Sequence, residues 1–208
     1  MSDRIIVVGI NTEVGKTVVS AILAEALDGC YWKPVQCGLP DDATWVQNHL
    51  SSKARCYPSS FALSTPCSPH LAARIDGLKI EAKNLVPPVC SRYLIIEGTG
   101  GLLSPLNETD TWADAAVHWN ARWVLVHRHY LGSLNHFALT IESIRQRNIS
   151  LLGVIFNGEG DLETEKMLLK KADTRCLGRL VWEKQFTPKI IQKIAKDWTQ
   201  PLLTALGL

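Results

Sequence analysis

With 208 residues, the chain is long enough for one α/β domain and short for two. Its 22 Lys and Arg against 20 Asp and Glu, a net charge of +2, form no long basic run, which argues against a nucleic-acid surface. Apolar residues make up 46% of the chain and support an ordinary core, but charges interrupt them well before the ~18 residues that a membrane span needs, so no membrane partner is expected.

The opening Met1-Ser2-Asp3-Arg4 runs at once into a brief apolar segment, without the length or cleavage site of a secretory leader, which predicts a cytoplasmic protein. Arg4 to Val8 reads as the first strand of a largely parallel sheet, because it is nearly all apolar, as strands buried on both faces should be. Gly9 and the loop Asn11-Thr12-Glu13-Val14-Gly15-Lys16-Thr17-Val18 come next, with five residues between Gly9 and Gly15 where the usual phosphate-loop pattern has four. Val18, Val19, Ile22, Leu23, Ala26 and Leu27 then recur at helical spacing, with Gly29 as a stop, so Lys16 and Thr17 fall in a first turn. A strand, a glycine-bearing loop and Gly-Lys-Thr opening a helix are the context a phosphate cradle requires. Free N–H groups and the helix dipole attract anions there, Lys16 reaches phosphate oxygens, and the Thr17 hydroxyl ligates magnesium.

Cys30 to Val35 is the second candidate strand. Lys33 lies late in it, where a buried ammonium needs an anion at the sheet's C-terminal edge, unless the strand is an edge from which the side chain snorkels to water. Ser51 to Pro88 is the least regular stretch and predicts loop and short helix. The strand Tyr93 to Ile96 is followed directly by Glu97 and by Gly98-Thr99-Gly100-Gly101. That order sets a carboxylate where the strand leaves the core and lets backbone approach a ligand. A second acid for a magnesium site comes from Asp41 or Asp42. Strands at Trp123 to Val126, Leu151 to Phe156 and Leu177 to Val181 alternate with helices at Ser133 to Gln146, Asp161 to Lys171 and Pro188 to Ala205. The alternation predicts one α/β domain over residues 1–208, a mostly parallel sheet covered by helices on both faces in the three-layer P-loop NTPase manner. The six cysteines form no C-x-x-C pair, so packed, reduced thiols are expected rather than a zinc site or a disulfide framework.

Gly9-Ile-Asn-Thr-Glu-Val-Gly-Lys-Thr17, Tyr31-Trp-Lys-Pro-Val-Gln-Cys-Gly38 and Glu97-Gly-Thr-Gly-Gly101 together resemble the dethiobiotin synthetase family, whose own variant is the longer glycine loop. Further blocks match in order: Ser68-Pro69-His70, Leu131-Gly132-Ser133-Leu-Asn135-His136, Gly153-Val-Ile-Phe-Asn157 and Leu177-Gly178. The resemblance implies an ATP- and Mg2+-dependent cyclo-ligase of biotin synthesis that joins 7,8-diaminopelargonic acid and CO2 through a carbamate and a carbamic–phosphoric anhydride. Carried over, Lys16, Lys33 and Thr12 are catalytic. Glu13, Val14, Gly15, Lys16, Thr17, Val18, Glu97, Gly100 and Asn157 bind ATP, with Asn157 at the adenine, and Thr17, Asp42 and Glu97 hold magnesium. Thr12, Lys33, Cys37 and Ser68 face the substrate, with His70 in the same block. The family is homodimeric, so Leu131, Gly132, Ser133 and Asn135 would take the substrate carboxylate at a helix N-terminus lent by the partner subunit.

Some positions depart from the family. Cys37 stands where a small hydroxyl residue is usual, Tyr130 where a basic residue is frequent, and Val181 where a proline often follows the last strand. The stretch after Gly38 is short, which leaves both Asp41 and Asp42 open as the acidic ligand. An alternative is a switch ATPase of the partition or septum-positioning type, which shares the deviant loop. Those proteins carry a lysine five residues before the loop lysine, and here that residue is Asn11.

Overall fold

The computed structural model describes residues 4–51 and 55–208; the leader reading at Met1 to Asp3 and part of the irregular stretch, 52–54, lie outside them. The first strand is β1 (Arg4–Gly9), and the helix after the glycine loop is α1 (Lys16–Ala26), so Lys16 and Thr17 do open it. The other strands of the main sheet are β2 (Cys30–Trp32), β4 (Cys56–Tyr57), β6 (Leu94–Gly101), β7 (Arg122–Arg128), β8 (Leu151–Asn157) and β9 (Cys176–Leu180). All seven are parallel, in the order β4-β2-β6-β1-β7-β8-β9. Parallel strands covered on both faces need apolar side chains on both, and Ile5 to Val8, Leu94 to Ile96 and Val124 to Val126 are buried throughout.

Right-handed crossovers put helices on opposite faces when the chain moves in opposite directions along a sheet. The chain steps from β1 towards β2 on one side and from β7 through β9 on the other. Accordingly α1 packs with α2 (Asp42–His49) and the C-terminal α7 (Pro188–Leu206), while α5 (Ser133–Gln146) packs with α6 (Leu162–Ala172). The reversal occurs at β1, so the crevice beyond its C-terminal end is the topological switch point.

The expected strand from Cys30 to Val35 is broken in two. Pro34 has no N–H for a ladder and restricts Lys33 before it. The chain therefore leaves the main sheet after Trp32 and forms a separate parallel pair, β3 (Val35–Cys37) with β5 (Phe61–Leu63). The strand expected to stop at Ile96 runs on to Gly101, because Glu97 still pairs with Val7 and Gly101 with Gly9. The irregular stretch holds β4, β5 and the short helix α3 (Pro69–Ile75). Sequence reading also missed α2 and α4 (Trp112–Ala116), both too short for a clear period but both capped, by Asp41 and Thr111. Among the described residues no helix is long and apolar enough to cross a membrane.

His127 on β7 is fully buried among His129, Phe137 and Phe156, and neither ring nitrogen has a hydrogen-bond partner among the described residues. Burial first, then His129, lowers its pKa from 6.5 to about 4. The unfolded chain therefore binds a proton that the folded chain refuses, and stability falls as pH drops from about 6.5 towards about 4. The loss should be on the order of 2–3 kcal/mol. Urea unfolding at pH 7 and pH 5 should show a weaker acid dependence in His127→Leu; an unchanged dependence would remove His127 as its source.

Candidate active site: a cleft at the end of the first strand

The glycine loop between β1 and α1 is tied back from outside. Arg128 donates to the Glu13 carbonyl at 3.0 Å, the Asn157 amide donates to the Val14 carbonyl at 2.8 Å, and Lys16 Nζ donates to the Asn11 carbonyl at 3.1 Å. With those carbonyls held, the N–H groups of Gly15, Lys16, Thr17 and Val18 make no hydrogen bond to any described residue. A run of free amides at a helix start is an anion cradle. Gly15 caps α1 at φ 93°, and a Cβ there would come within 2.5 Å of Asn157 Nδ2, so the position requires glycine.

The cradle opens into a cleft of about 720 Å3. Thr12, Glu13, Gly15, Lys16, Thr17 and Val18 line one side of it. Lys33, Cys37 and Asp42 enter from the chain after β2, Glu97 and Gly100 from the end of β6, and Ser68 from the start of α3. Two other hollows, of about 720 and 560 Å3, lie around residues 79–119 and 70–109; the first also gathers lysines and acids, but neither is lined by the glycine loop.

Glu97 is 1% exposed and forms the centre of the polar network. Thr17 Oγ1 donates to its Oε1 at 2.9 Å, and the buried Tyr31 hydroxyl donates to its Oε2 at 2.7 Å. Lys33 Nζ lies 3.4 Å from Oε1 and makes a short ion pair with Asp42. Burial alone would lower the pKa of Lys33, but Glu97 and Asp42 outweigh it and hold the ammonium above its ordinary value. Lys16 has no such direct pair. Burial lowers it from 10.5 to about 8, with Glu97 opposing, Lys33 adding to the depression and Asp42 opposing. The Cys37 thiol is raised to about 11, chiefly by burial, and stays neutral.

The fold thus places Asp41 and Asp42 differently. Asp41 is the N-cap of α2, accepting from the Thr44 N–H at 2.7 Å, whereas Asp42 turns to Lys33 and the cleft. Gln36, which sequence reading missed, holds this turn: its amide donates to the carbonyls of Gly38 and Pro40, and its Oε1 accepts from the Asp42 N–H. Tyr31 was missed as well, since nothing in its sequence spacing marks a buried hydroxyl. Only the register of β2 on β6, Tyr31 beside Ile95, sets it on the face that Glu97 shares.

Three further groups do not line this cleft. His70 lines the 560 Å3 hollow rather than the cleft. Asn157 braces the back of the glycine loop. Leu131, Gly132, Ser133 and Asn135 sit at the start of α5, outside the cleft. Leu131 is fully exposed and Leu134 and Leu139 are exposed beside it. A link to the loop exists through Tyr130, whose hydroxyl meets His136 Nδ1 at 2.6 Å and Asn11 Nδ2 at 3.4 Å.

Magnesium prefers hard oxygen donors and keeps several waters or phosphate oxygens. Thr17, Glu97 and Asp42 supply a hydroxyl and two carboxylates to the same cleft, with Thr17 on Glu97 and Lys33 between Glu97 and Asp42. Among the described residues no cluster of three or more His, Cys, Asp or Glu side chains could hold a metal alone. The donor set therefore fits a magnesium ion completed by a phosphorylated ligand.

A family model described as an AAA domain matches residues 3–189. The chain is 43% identical over 198 residues to the ATP-dependent dethiobiotin synthetase of Chlamydia pneumoniae, covering 95% of this chain and 90% of that one. It is 48% identical over 183 residues to the namesake of Rhodopseudomonas palustris, covering 86% of each. Among solved structures, the MinC:MinD cell division complex of Aquifex aeolicus matches with a TM-score of 0.56 at 11% identity, over 100% of this chain and 97% of that one. A ParA family ATPase of Chlorobium tepidum matches with a TM-score of 0.53 at 14% identity, over 100% of both chains. At that identity the likeness concerns the fold, which is that of P-loop ATPases.

Proposed function

The chain belongs to the dethiobiotin synthetase family of ATP-dependent ligases in biotin synthesis, and from that premise we propose that it closes the ureido ring of dethiobiotin from 7,8-diaminopelargonic acid and CO2. The observation that carries this reading is the convergence of two buried lysines, Lys16 and Lys33, with Thr17, Asp42 and Glu97 beside a cradle of free amides. In this reading one substrate amine adds to CO2 and loses a proton, giving a carbamate. A carbamate oxygen attacks the γ-phosphorus of ATP, and ADP leaves. The second amine then attacks the carbon of the mixed anhydride, the C–N bond forms and phosphate departs. Such chemistry is catalysed mainly by positioning and by neutralising charge that grows in the transition state.

Each residue then has a physical task. The amides of Gly15 to Val18 and Lys16 hold the phosphates, and Lys33 and Thr12 flank the carbamate oxygen. Cys37 and Ser68 border the substrate, with the neutral thiol a weaker donor than a hydroxyl. Thr17, Asp42 and Glu97 would hold magnesium, which would supply charge neutralisation at the phosphates. Asn157 is suited to an adenine edge by its paired donor and acceptor, and its present bond to Val14 sets it beside Gly15. The exposed Leu131, Leu134 and Leu139 support a homodimer in which Gly132, Ser133 and Asn135 face the partner's substrate carboxylate. The net charge of +2 without a basic run and the free cysteines fit a cytoplasmic enzyme without nucleic-acid or membrane partners.

Phosphate release should require ATP, Mg2+, bicarbonate and the diamine together, and the product should carry the mass of the ureido ring. Release indifferent to the diamine would overturn the ligase reading. Light scattering should give a dimer; a monomer at working concentration would remove the shared site. Tyr31→Phe deletes one hydrogen bond to a buried metal-facing carboxylate, and loss of such an outer contact costs roughly tenfold in metal affinity. Half-saturating Mg2+ should rise by about that factor with maximal turnover within about twofold; a fall in folded protein without that rise would leave Tyr31 a packing residue.

A further inference from the structure

We propose that Cys30 and Cys90 are an oxidisable thiol pair, a site of reversible disulfide formation at the end of the sheet away from the cleft. The two sulfurs lie 2.8 Å apart although 60 positions separate them in the chain. Both are free and only partly buried, so a small oxidant can reach them. Each is held on an anchored segment. The Cys30 N–H donates to the Tyr93 carbonyl at 2.7 Å, and the Tyr57 hydroxyl donates to the carbonyl of Val89, next to Cys90, at 3.0 Å. A bond between them therefore needs little movement of the backbone.

The surroundings distinguish the two thiols. The Arg92 N–H donates to Cys90 Sγ at 3.4 Å. Cys30 is pushed up to about 11, first by burial and then by its contact with Cys90. Cys90 is thus the attacking sulfur and Cys30 the resolving one. With a peroxide as oxidant, the Cys90 thiolate attacks one peroxide oxygen, the O–O bond breaks, and a sulfenic acid and hydroxide result. Cys30 sulfur then attacks the sulfenic sulfur, the S–O bond breaks, and hydroxide leaves. Those hydroxides take up the two thiol protons, so two thiols and one hydrogen peroxide give one disulfide and two waters.

Cys56 lies on the neighbouring strand but is not a rival. In the parallel β2–β4 pair it is in register with Tyr31, so its side chain projects to the face opposite that of Cys30. The bridge would join the first residue of β2 to the segment entering β6, at the strands' N-terminal ends, whereas the cleft opens at their C-terminal ends. It would close a loop that includes Lys33 and Asp42 and so restrict the unfolded chain.

The full-length protein should be treated with hydrogen peroxide, alkylated, digested and mapped by mass. The expected result is a cross-linked peptide of Cys30 and Cys90, two hydrogens lighter, with Cys37, Cys56, Cys67 and Cys176 alkylated and the bridge reversed by dithiothreitol. The melting temperature should rise by roughly 5–15 °C on bridging. Cys30→Ser should leave a sulfenic acid on Cys90 that dimedone traps, and Cys90→Ser should leave Cys30 reduced. Six alkylated thiols after oxidation, or a bridge from Cys30 to Cys56, would overturn the proposal.

Discussion

Lys33→Gln is expected to lower maximal turnover by roughly 10²–10³ while the affinity for ATP changes by no more than about threefold, because removal of one preorganised charge at a reacting oxygen costs about that much. Lys33 makes no hydrogen bond to the glycine loop among the described residues; its ammonium sits between Asp42 and Glu97, and shares Glu97 Oε1 with Thr17. Its loss should therefore spare the phosphate cradle and remove a cation from the attacking carbamate. A second readout separates this role from a purely structural one. Without Lys33, Asp42 and the nearly inaccessible Glu97 face each other uncompensated, so the variant should be less stable and should recover more stability from added Mg2+ than the native protein does. Lys33→Arg should remain slow, since a planar guanidinium cannot replace a point charge in this pocket. ATP binding measured by calorimetry and turnover by phosphate release check both halves. Turnover within tenfold of native would remove Lys33 from the reaction.

Lys16→Gln should reduce kcat/KM by roughly 10³–10⁴ and, unlike the Lys33 variant, weaken ATP binding as well, because this lysine opens α1 beside the free amides. Its Nζ donates to the Asn11 carbonyl at 3.1 Å and would leave it for a phosphate. A pH signature accompanies this. With the free-protein pKa lowered to about 8 by burial, only the protonated form favours phosphate, and bound phosphate raises the pKa again. Apparent ATP affinity should then fall with rising pH above about 8, by up to tenfold per unit, until the raised pKa is reached. Lys16→Gln should flatten that slope. The stability of the free protein runs the other way: the unfolded chain holds the Lys16 proton up to about 10.5, so stability rises with pH between about 8 and 10.5. A native affinity profile flat from pH 7 to 9.5 would contradict the assignment.

Local chemistry made much of this legible from the chain. Apolar runs such as Ile5 to Val8 and the period of Val19, Ile22 and Leu23 marked the strand and helix around the glycine loop, because burial on both sheet faces and on one helix face leaves periods of its own. The place of Gly15, Lys16 and Thr17 at the start of a helix was readable because a strand, a glycine-bearing loop and a helix start follow one another directly along the chain. The helix from Ser133 to Gln146 was read to the residue.

Where a residue's task depends on a distant partner, the sequence could not supply it. The sequence reads as one strand from Cys30 through Pro34 to Val35, and only the fold shows that it breaks there and turns Lys33 out of the sheet and onto Asp42 and Glu97. Asp41 and Asp42 are equivalent as letters; the start of α2 made one a cap and freed the other for the cleft. Tyr31 reaches Glu97 through the register of two strands whose residues lie 66 positions apart. Cys30 and Cys90, read as ordinary packed thiols, meet because the chain returns to the N-terminal end of the strands before entering β6, the neighbour of β2. Periodicity and backbone cradles are short-range and survive in a linear string, whereas register, crossovers and the meeting of side chains exist only once the chain is packed.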